Sequence, residues 1–178
     1  SAVAVTDNMN LFATVKFYKE AMAAGIKPII GADCWLHNPQ NEKQPFRFTL
    51  LCQSDQGYKN LIELISKAYL EGQQTGSPIL QREWLQQKAD GLLALSGARE
   101  GDIGQALLAD KKAIAQQLLQ DWLALFPDRF YLELQRTGRA QEEEYIDAAV
   151  ELAHKNNLPV VPTNDVRFLS KEDFQAHE

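Results

Sequence analysis

Strand-like and helix-like segments alternate along almost the whole chain, and this order constrains the fold more than any other feature. Amphipathic segments predict helices at residues 11–22, 55–69, 82–89, 102–108, 114–125 and 142–155. Short apolar runs predict strands at residues 2–5, 26–35, 46–52, 91–95, 129–135 and 158–161. Helices that alternate with strands favour a mostly parallel sheet with right-handed crossovers, and therefore an α/β fold.

Composition narrows the classes of protein that remain. The chain has 178 residues, of which 45% are hydrophobic and 24% charged, so we expect a globular protein with one sizeable core. A net charge of −6 argues against a free-standing nucleic-acid binder. No apolar run approaches the ~18 residues of a membrane span. Two cysteines, Cys34 and Cys52, are too few for a disulfide framework, so we expect a reduced, cytoplasmic protein.

The two ends of the chain are unusual. The sequence lacks an initiator methionine and opens inside the apolar run of residues 2–5. A natural chain seldom begins in a buried strand, so we expect both ends to be boundaries within a longer protein.

The residues just after the predicted strands are the candidates for chemistry, since functional groups in α/β folds gather at the carboxyl ends of strands. These residues are Asp7, Asn8, Asp33, Gly97, Ala98, Arg136, Thr137, Asn164, Asp165 and Arg167. Three carboxylates at one edge could hold a divalent metal. The simpler interpretation is that strand-end acids cap loops and helices, and we favour it because no histidine accompanies them. The sequence contains no phosphate-binding glycine motif and no candidate catalytic triad.

Several strings of residues carry a resemblance to a known family. These strings are Val5–Asn10, Val15–Tyr18, Gly25–Asp33, Gly57–Leu61, Ile65–Tyr69, Leu95–Gly97, Phe126–Leu134, Pro162–Phe168 and Asp173–Glu178. In this order they resemble the PHP (polymerase and histidinol phosphatase) domain, in the form found at the N-terminus of proteobacterial DNA polymerase III alpha subunits. The similarity extends over essentially the whole chain.

The resemblance implies a fold and a domain assignment. The family folds as a distorted, TIM-barrel-like β/α barrel of seven strands. We therefore expect residues 1–178 to form one incomplete PHP domain, which lacks the first strand and the end of the barrel. The polymerase active site, and the Mg²⁺ that serves it, would lie in the parent protein outside this chain.

The resemblance also implies where a metal cluster would be held in metal-binding relatives. At the corresponding positions this chain has Asn8 and Thr137 in place of histidines, and Ala98 in place of a common cysteine. The acidic ligand of the second strand becomes the shorter Asp33. In the Asp-x-His motif near the last strand, Asp165 is kept but the histidine becomes Arg167. We therefore expect no metal and no other cofactor in this chain.

An arginine has no acceptor atom and would repel a metal ion. Our hypothesis is that Arg167 stands in for the metal charge by pairing with Asp7, Asp33 or Asp165.

The functional expectation that follows is a domain without catalytic residues. The resemblance implies a structural and interaction platform within the alpha subunit, with the proofreading exonuclease (epsilon) subunit and the rest of the alpha subunit as partners. We expect no direct DNA contact and no membrane contact, but exposed sheet edges could allow a homo-oligomer. The alternative is a metal-dependent phosphoesterase or pyrophosphatase with an eroded metal site.

Overall fold

The computed structural model describes residues 1–73 and 76–166 of the chain. The strands are β1 (Ala2–Asn8), β2 (Lys27–Leu36), β3 (Phe46–Cys52), β4 (Leu92–Leu95), β5 (Phe130–Gln135) and β6 (Val160–Thr163). The helices are α1 (Thr14–Ala23), α2 (Asp55–Glu71), α3 (Arg82–Lys88), α4 (Asp102–Leu108), α5 (Lys112–Leu125) and α6 (Glu142–Asn156). A 3₁₀ turn at Ala98–Glu100 follows β4.

The six strands form one sheet in the order of the chain, from β1 to β6. The pairs β1–β2, β4–β5 and β5–β6 are parallel, whereas β3 runs antiparallel to both β2 and β4. The short loop of residues 37–45 explains this reversal, because it joins β2 and β3 as a hairpin rather than by a crossover helix. The sheet curls until β1 and β6 line the same cavity. This arrangement confirms the predicted α/β fold with an incomplete, mostly parallel barrel.

Residue parity along the strands separates the two faces of the sheet. Even-numbered residues of the central strands are buried among the helices, and they include Ala32, Cys34, Leu36, Phe48, Leu50, Leu92, Ala94, Phe130 and Leu132. The core continues to Trp122 of α5, which stacks on Phe130 with ring centroids 5.3 Å apart. Odd-numbered residues face the cavity inside the curl, and several of them are charged. The apolar core therefore lies outside the sheet and the candidate site inside it.

The first two elements differ from what their sequences indicate. A short apolar run such as residues 2–5 is typical of a strand covered on both faces, but β1 is an edge strand and Val3 is 43% exposed. The apolar stripe of α1 is also exposed, since the buried residues of this helix are Thr14 and Ala21.

No helix in the described part of the chain is both long and apolar enough to cross a membrane.

Candidate functional site

Arg47 lies at the centre of the polar inner face of the sheet. Its Nη2 atom is 2.7 Å from Oδ2 of Asp33 and 3.7 Å from Oδ1 of Asp165. The side chain of Arg47 is only 6% exposed, so this is a buried cation shared between two carboxylates. Thr49 completes the environment of Asp33 by donating its hydroxyl to Oδ1 at 2.7 Å.

The pairing of β2 with β3 places these groups together. In the antiparallel register Asp33 lies opposite Thr49, and Trp35 lies opposite Arg47. Arg47 and Thr49 are two residues apart, so their side chains emerge on the same face as Asp33. Gly97 fixes the neighbouring turn, since its φ is +76° and a Cβ there would lie 1.9 Å from the carbonyl oxygen of Arg47.

Asp165 follows β6 and links the last strand to this site. Its Oδ2 is 2.6 Å from Nη2 of Arg139, which lies in the loop between β5 and α6. Its side chain is only 5% exposed. Two arginines from distant segments therefore hold one buried carboxylate near the centre of the curled sheet.

Glu133 of β5 adds a third buried carboxylate. One of its oxygens, Oε1, accepts hydrogen bonds from Thr163 at 2.5 Å and from Gln135 at 3.1 Å. The other, Oε2, is buried and has no hydrogen-bond partner among the described residues. Burial raises the pKa of Glu133, although the hydrogen bond from Thr163 and the charge of Arg47 oppose that shift.

The electrostatic balance favours a charged guanidinium at Arg47. Burial by itself would lower the pKa of Arg47, but the negative charges of Asp33, Glu133 and Asp165 outweigh it and the pKa is raised. The Nε and Nη1 atoms are buried and lack a hydrogen-bond partner among the described residues. Nη1 lies 4.0 Å from Glu100. Arg47 is thus held mainly by the surrounding charges.

These groups face a cavity of about 620 Å³ inside the curl. Every strand contributes to its wall, from residues 4–7 of β1 to residues 160–163 of β6. Asp7 also lines the cavity, and its Oδ2 accepts a hydrogen bond from the backbone N–H of Ala13 at 3.1 Å.

Of the other sequence-predicted positions, Asn164 also lines the cavity, whereas the implied metal positions Asn8, Ala98 and Thr137 lie elsewhere. Asn8 is exposed at the end of β1, and Ala98 is buried with Tyr145 and Ala149 behind the sheet. Thr137 lies in the loop after β5, where its hydroxyl and its N–H both donate to Glu142. None of these three residues lines the cavity. Arg167 lies outside the described residues, so its proposed pairing stays a prediction.

Glu142, in the first turn of α6, is a buried acid that the sequence pattern did not predict. It accepts hydrogen bonds from the backbone N–H groups of Thr137, Gly138 and Arg139 at 2.7, 2.7 and 3.1 Å. Desolvation would raise its pKa, but these bonds and that from the Thr137 hydroxyl outweigh it, so the pKa of Glu142 is lowered.

The residues of the cavity do not fit the metal cluster that the family resemblance implies. Both oxygens of Asp33 are engaged, by Arg47 and by Thr49, and both oxygens of Asp165 contact arginines. Within residues 1–73 and 76–166, no group of three or more His, Cys, Asp or Glu side chains is arranged to hold a metal ion. A divalent ion in this position would also lie beside a permanent cation.

Sequence reasoning missed Arg47 and Glu133 because it considered only the residues just after the strands, and it missed Arg139 because this residue lies further along the loop after β5. A usable signal was present in the strand interiors. Arg47 interrupts the apolar run of β3, and Glu133 does the same in β5. An ionisable residue in the middle of a buried strand requires a partner, and alternation along the strand indicates which face that partner occupies.

Comparisons with known proteins point to one family. The profile of the PHP domain matches residues 1–137. The DNA polymerase III alpha subunit of Pseudomonas aeruginosa is 53% identical over 177 residues, which is 99% of this chain and 15% of that subunit. The alpha subunits of Escherichia coli K12 and Vibrio cholerae are 48% and 45% identical over the same shares. The chain therefore spans about 15% of the length of these relatives.

These matches agree with the curled α/β sheet and confirm the resemblance drawn from the sequence strings. The family profile covers more than half of the chain, and the relatives align with nearly all of it. This chain belongs to the PHP domain family, in the form found in DNA polymerase III alpha subunits.

Proposed function

We propose that this chain is a non-catalytic structural and interaction platform within a DNA polymerase III alpha subunit of the bacterial cytoplasm. Nucleotide transfer and the Mg²⁺ it requires would belong to other parts of that protein. The rest of the alpha subunit and the proofreading exonuclease subunit are the proposed partners. This domain would not contact DNA directly.

One observation carries the non-catalytic part of the proposal. The guanidinium of Arg47 occupies the position between Asp33 and Asp165, 2.7 and 3.7 Å from their oxygens. In a metal-dependent phosphoesterase those carboxylates would have to bind ions that activate water and stabilise the leaving oxygen. Here a fixed cation neutralises them, and it can neither bind water as a Lewis acid nor accept a proton. Arg47 would thereby keep the inner face of the sheet assembled without metal.

Metal analysis of the alpha subunit tests this part. After equilibration with Zn²⁺ or Mn²⁺, anomalous scattering from crystals should show no ordered ion between Asp33 and Asp165. An ordered two-metal site there, lost in the Asp33→Asn variant, would establish the alternative metal-dependent phosphoesterase. Because the variant changes only this cavity, ions bound at the polymerase site serve as the internal control.

Association with the exonuclease subunit tests the platform part. The intact alpha subunit should retain the exonuclease in a pull-down, and an alpha subunit that lacks this domain should not. Retention by the truncated subunit would show that the binding surface belongs to another domain.

A further inference from the structure

The outward face of α1 is more apolar than a solvated helix surface requires. Val15, Tyr18 and Met22 recur along it and are 63%, 50% and 54% exposed. Phe12, just before the helix, is 88% exposed. An amphipathic helix normally turns such a stripe towards the core, so a stripe left in contact with water indicates a surface that another element covers.

A groove runs beside this stripe, between α1 and the start of α2. Its volume is about 530 Å³. The helix side is formed by Thr14, Val15, Tyr18 and Lys19, and the facing side by residues 53–55 and Tyr58; the remaining lining residues are Lys27, Pro28, Ile30 and Cys52. Tyrosine rings combined with aliphatic side chains are typical of the centres of protein interfaces.

The charges of the groove suggest the character of its occupant. Lys19 and Lys27 both line it, and neither forms an ion pair with any of the residues that the structure describes. The single carboxylate of the lining is Asp55, which begins α2 and is favoured there by the helix dipole. In a chain of net charge −6, this is a locally cationic and apolar surface.

We infer that the groove between α1 and α2 binds an amphipathic helix of a protein partner, whose apolar face contacts Val15 and Tyr18 and whose acidic residues pair with Lys19 and Lys27. A helix fits because α1 and the first turn of α2 flank the groove, and an apolar face can lie between them with its polar face in water. This inference rests on the proposed platform role and assigns it a surface.

The test measures binding of the exonuclease subunit to the full-length alpha subunit. Val15→Glu, which places a charge in the groove, should weaken binding by at least about tenfold. Val150→Glu is the matched control, because it makes the same change on the exposed face of α6, where Val150 is 45% exposed, and it should leave binding unchanged. Exchange of both lysines, Lys19→Glu with Lys27→Glu, should weaken binding several-fold and reduce its dependence on salt.

The outcomes separate the two proposals. If wild-type alpha does not bind the exonuclease, the platform role fails, and the inference fails with it. If wild-type alpha binds but Val15→Glu binds equally well, the platform role stands and the groove is the wrong surface.

A Val15→Cys variant identifies other occupants. Its thiol should react with a maleimide in the alpha subunit alone and be protected when the exonuclease is bound, with labelling mapped at residue 15 by mass spectrometry. Protection in the alpha subunit alone would show that another part of that protein fills the groove. A dimer of the alpha subunit that Val15→Glu dissociates would show that a second copy does so. Either result would overturn the inference.

Discussion

Arg82–Asp102 and Arg47–Asp33 are both ion pairs with a buried carboxylate, and they differ in what surrounds them. Arg82 and Asp102 form an ion pair on the helical side of the sheet, and the guanidinium lies 4.7 Å from the ring centroid of Trp122. Asp102 also accepts hydrogen bonds from the indole N–H of Trp122 at 3.0 Å and from the N–H of Ile103 at 2.7 Å. This pair is one cation and one well-hydrogen-bonded anion, packed against Trp122 beside a second cavity of about 480 Å³.

The pair of Arg47 and Asp33 lies on the wall of the cavity inside the curl and belongs to a larger cluster of charges. One guanidinium contacts two carboxylates there, and Glu133 and Glu100 stand close by. Two of its three nitrogens have no hydrogen-bond partner among the described residues. The Arg82 pair is a packing element, whereas Arg47 holds together an excess of negative charge. The difference shows that neither the burial of an ion pair nor a neighbouring cavity identifies a site by itself. The excess of carboxylates over cations distinguishes the Arg47 pair.

Removal of the Arg47 charge should have the largest effect. Arg47→Met should lower the free energy of unfolding by about 3–5 kcal/mol, because the buried carboxylate of Asp33 would lose its counter-ion and Asp165 one of its two. Urea unfolding of the 178-residue chain measures this loss. Arg47→Lys, which keeps the charge, should cost less. A loss below about 1 kcal/mol for Arg47→Met would mean that the cluster does not depend on this cation.

The same change at the other pair should cost less. Arg82→Met should lower the free energy of unfolding by about 1–3 kcal/mol, since Asp102 keeps the donors of Trp122 and Ile103. Methionine also preserves contact with the Trp122 ring. The Arg82 side chain is 26% exposed, so less buried charge is disturbed. A larger loss than for Arg47→Met, in the same urea experiment, would reverse the proposed ranking of the two pairs.

Glu142 is a buried carboxylate that accepts hydrogen bonds from neutral donors and forms no ion pair with the described residues. Its pKa is lowered, so its contribution is fully present above the ordinary value of 4.5 and is lost as the pH falls through the folded-state pKa. Glu142→Gln should cost about 1–2 kcal/mol at pH 7 and progressively less in acid. Glu144→Gln is the matched control, because Glu144 is exposed in the same turn. Equal losses for both variants across the pH range would contradict the role of the hydrogen bonds.

Glu133 should show the smallest effect and the opposite dependence on pH. Its pKa is raised, so the folded state binds more protons between the ordinary value of 4.5 and the folded-state pKa, and stability falls as the pH rises through that window. Glu133→Gln should therefore be within about 1 kcal/mol of the wild type, and more stable relative to it at pH 7 than at pH 4. Urea unfolding at several pH values checks the sign. If the stability of Glu133→Gln relative to the wild type fell with rising pH, the proposed excess of negative charge around Arg47 would be refuted.

Much of the fold could be predicted because alternation is a local property. The apolar run of residues 46–52 coincides with β3, and the stripe of residues 55–69 falls within α2. The antiparallel direction of β3 was missed, since periodicity does not report direction. The exposure of Val15 and Tyr18 was missed for a related reason, because a stripe shows that a helix is amphipathic but not which neighbour covers it.

The candidate site was predictable in part. Asp33 and Asp165 were singled out, and the structure brings both to Arg47. The pairing of Arg47 with them could not be predicted, because these partners lie 14 and 118 positions away along the chain and no local pattern encodes a contact at such a separation.

The sequence by itself determined the succession of strands and helices, the family, and the loss of metal-ligand types at Asn8, Ala98 and Thr137, because each of these depends on residue identity and short spacing. The tertiary structure decided which charges meet. Curling of the sheet turns the odd-numbered residues of β2, β3 and β5 towards one cavity, where burial makes Asp33 and Asp165 depend on the nearest cation. Only that geometry shows that Arg47, inside β3, is the cation on which Asp33 and Asp165 converge.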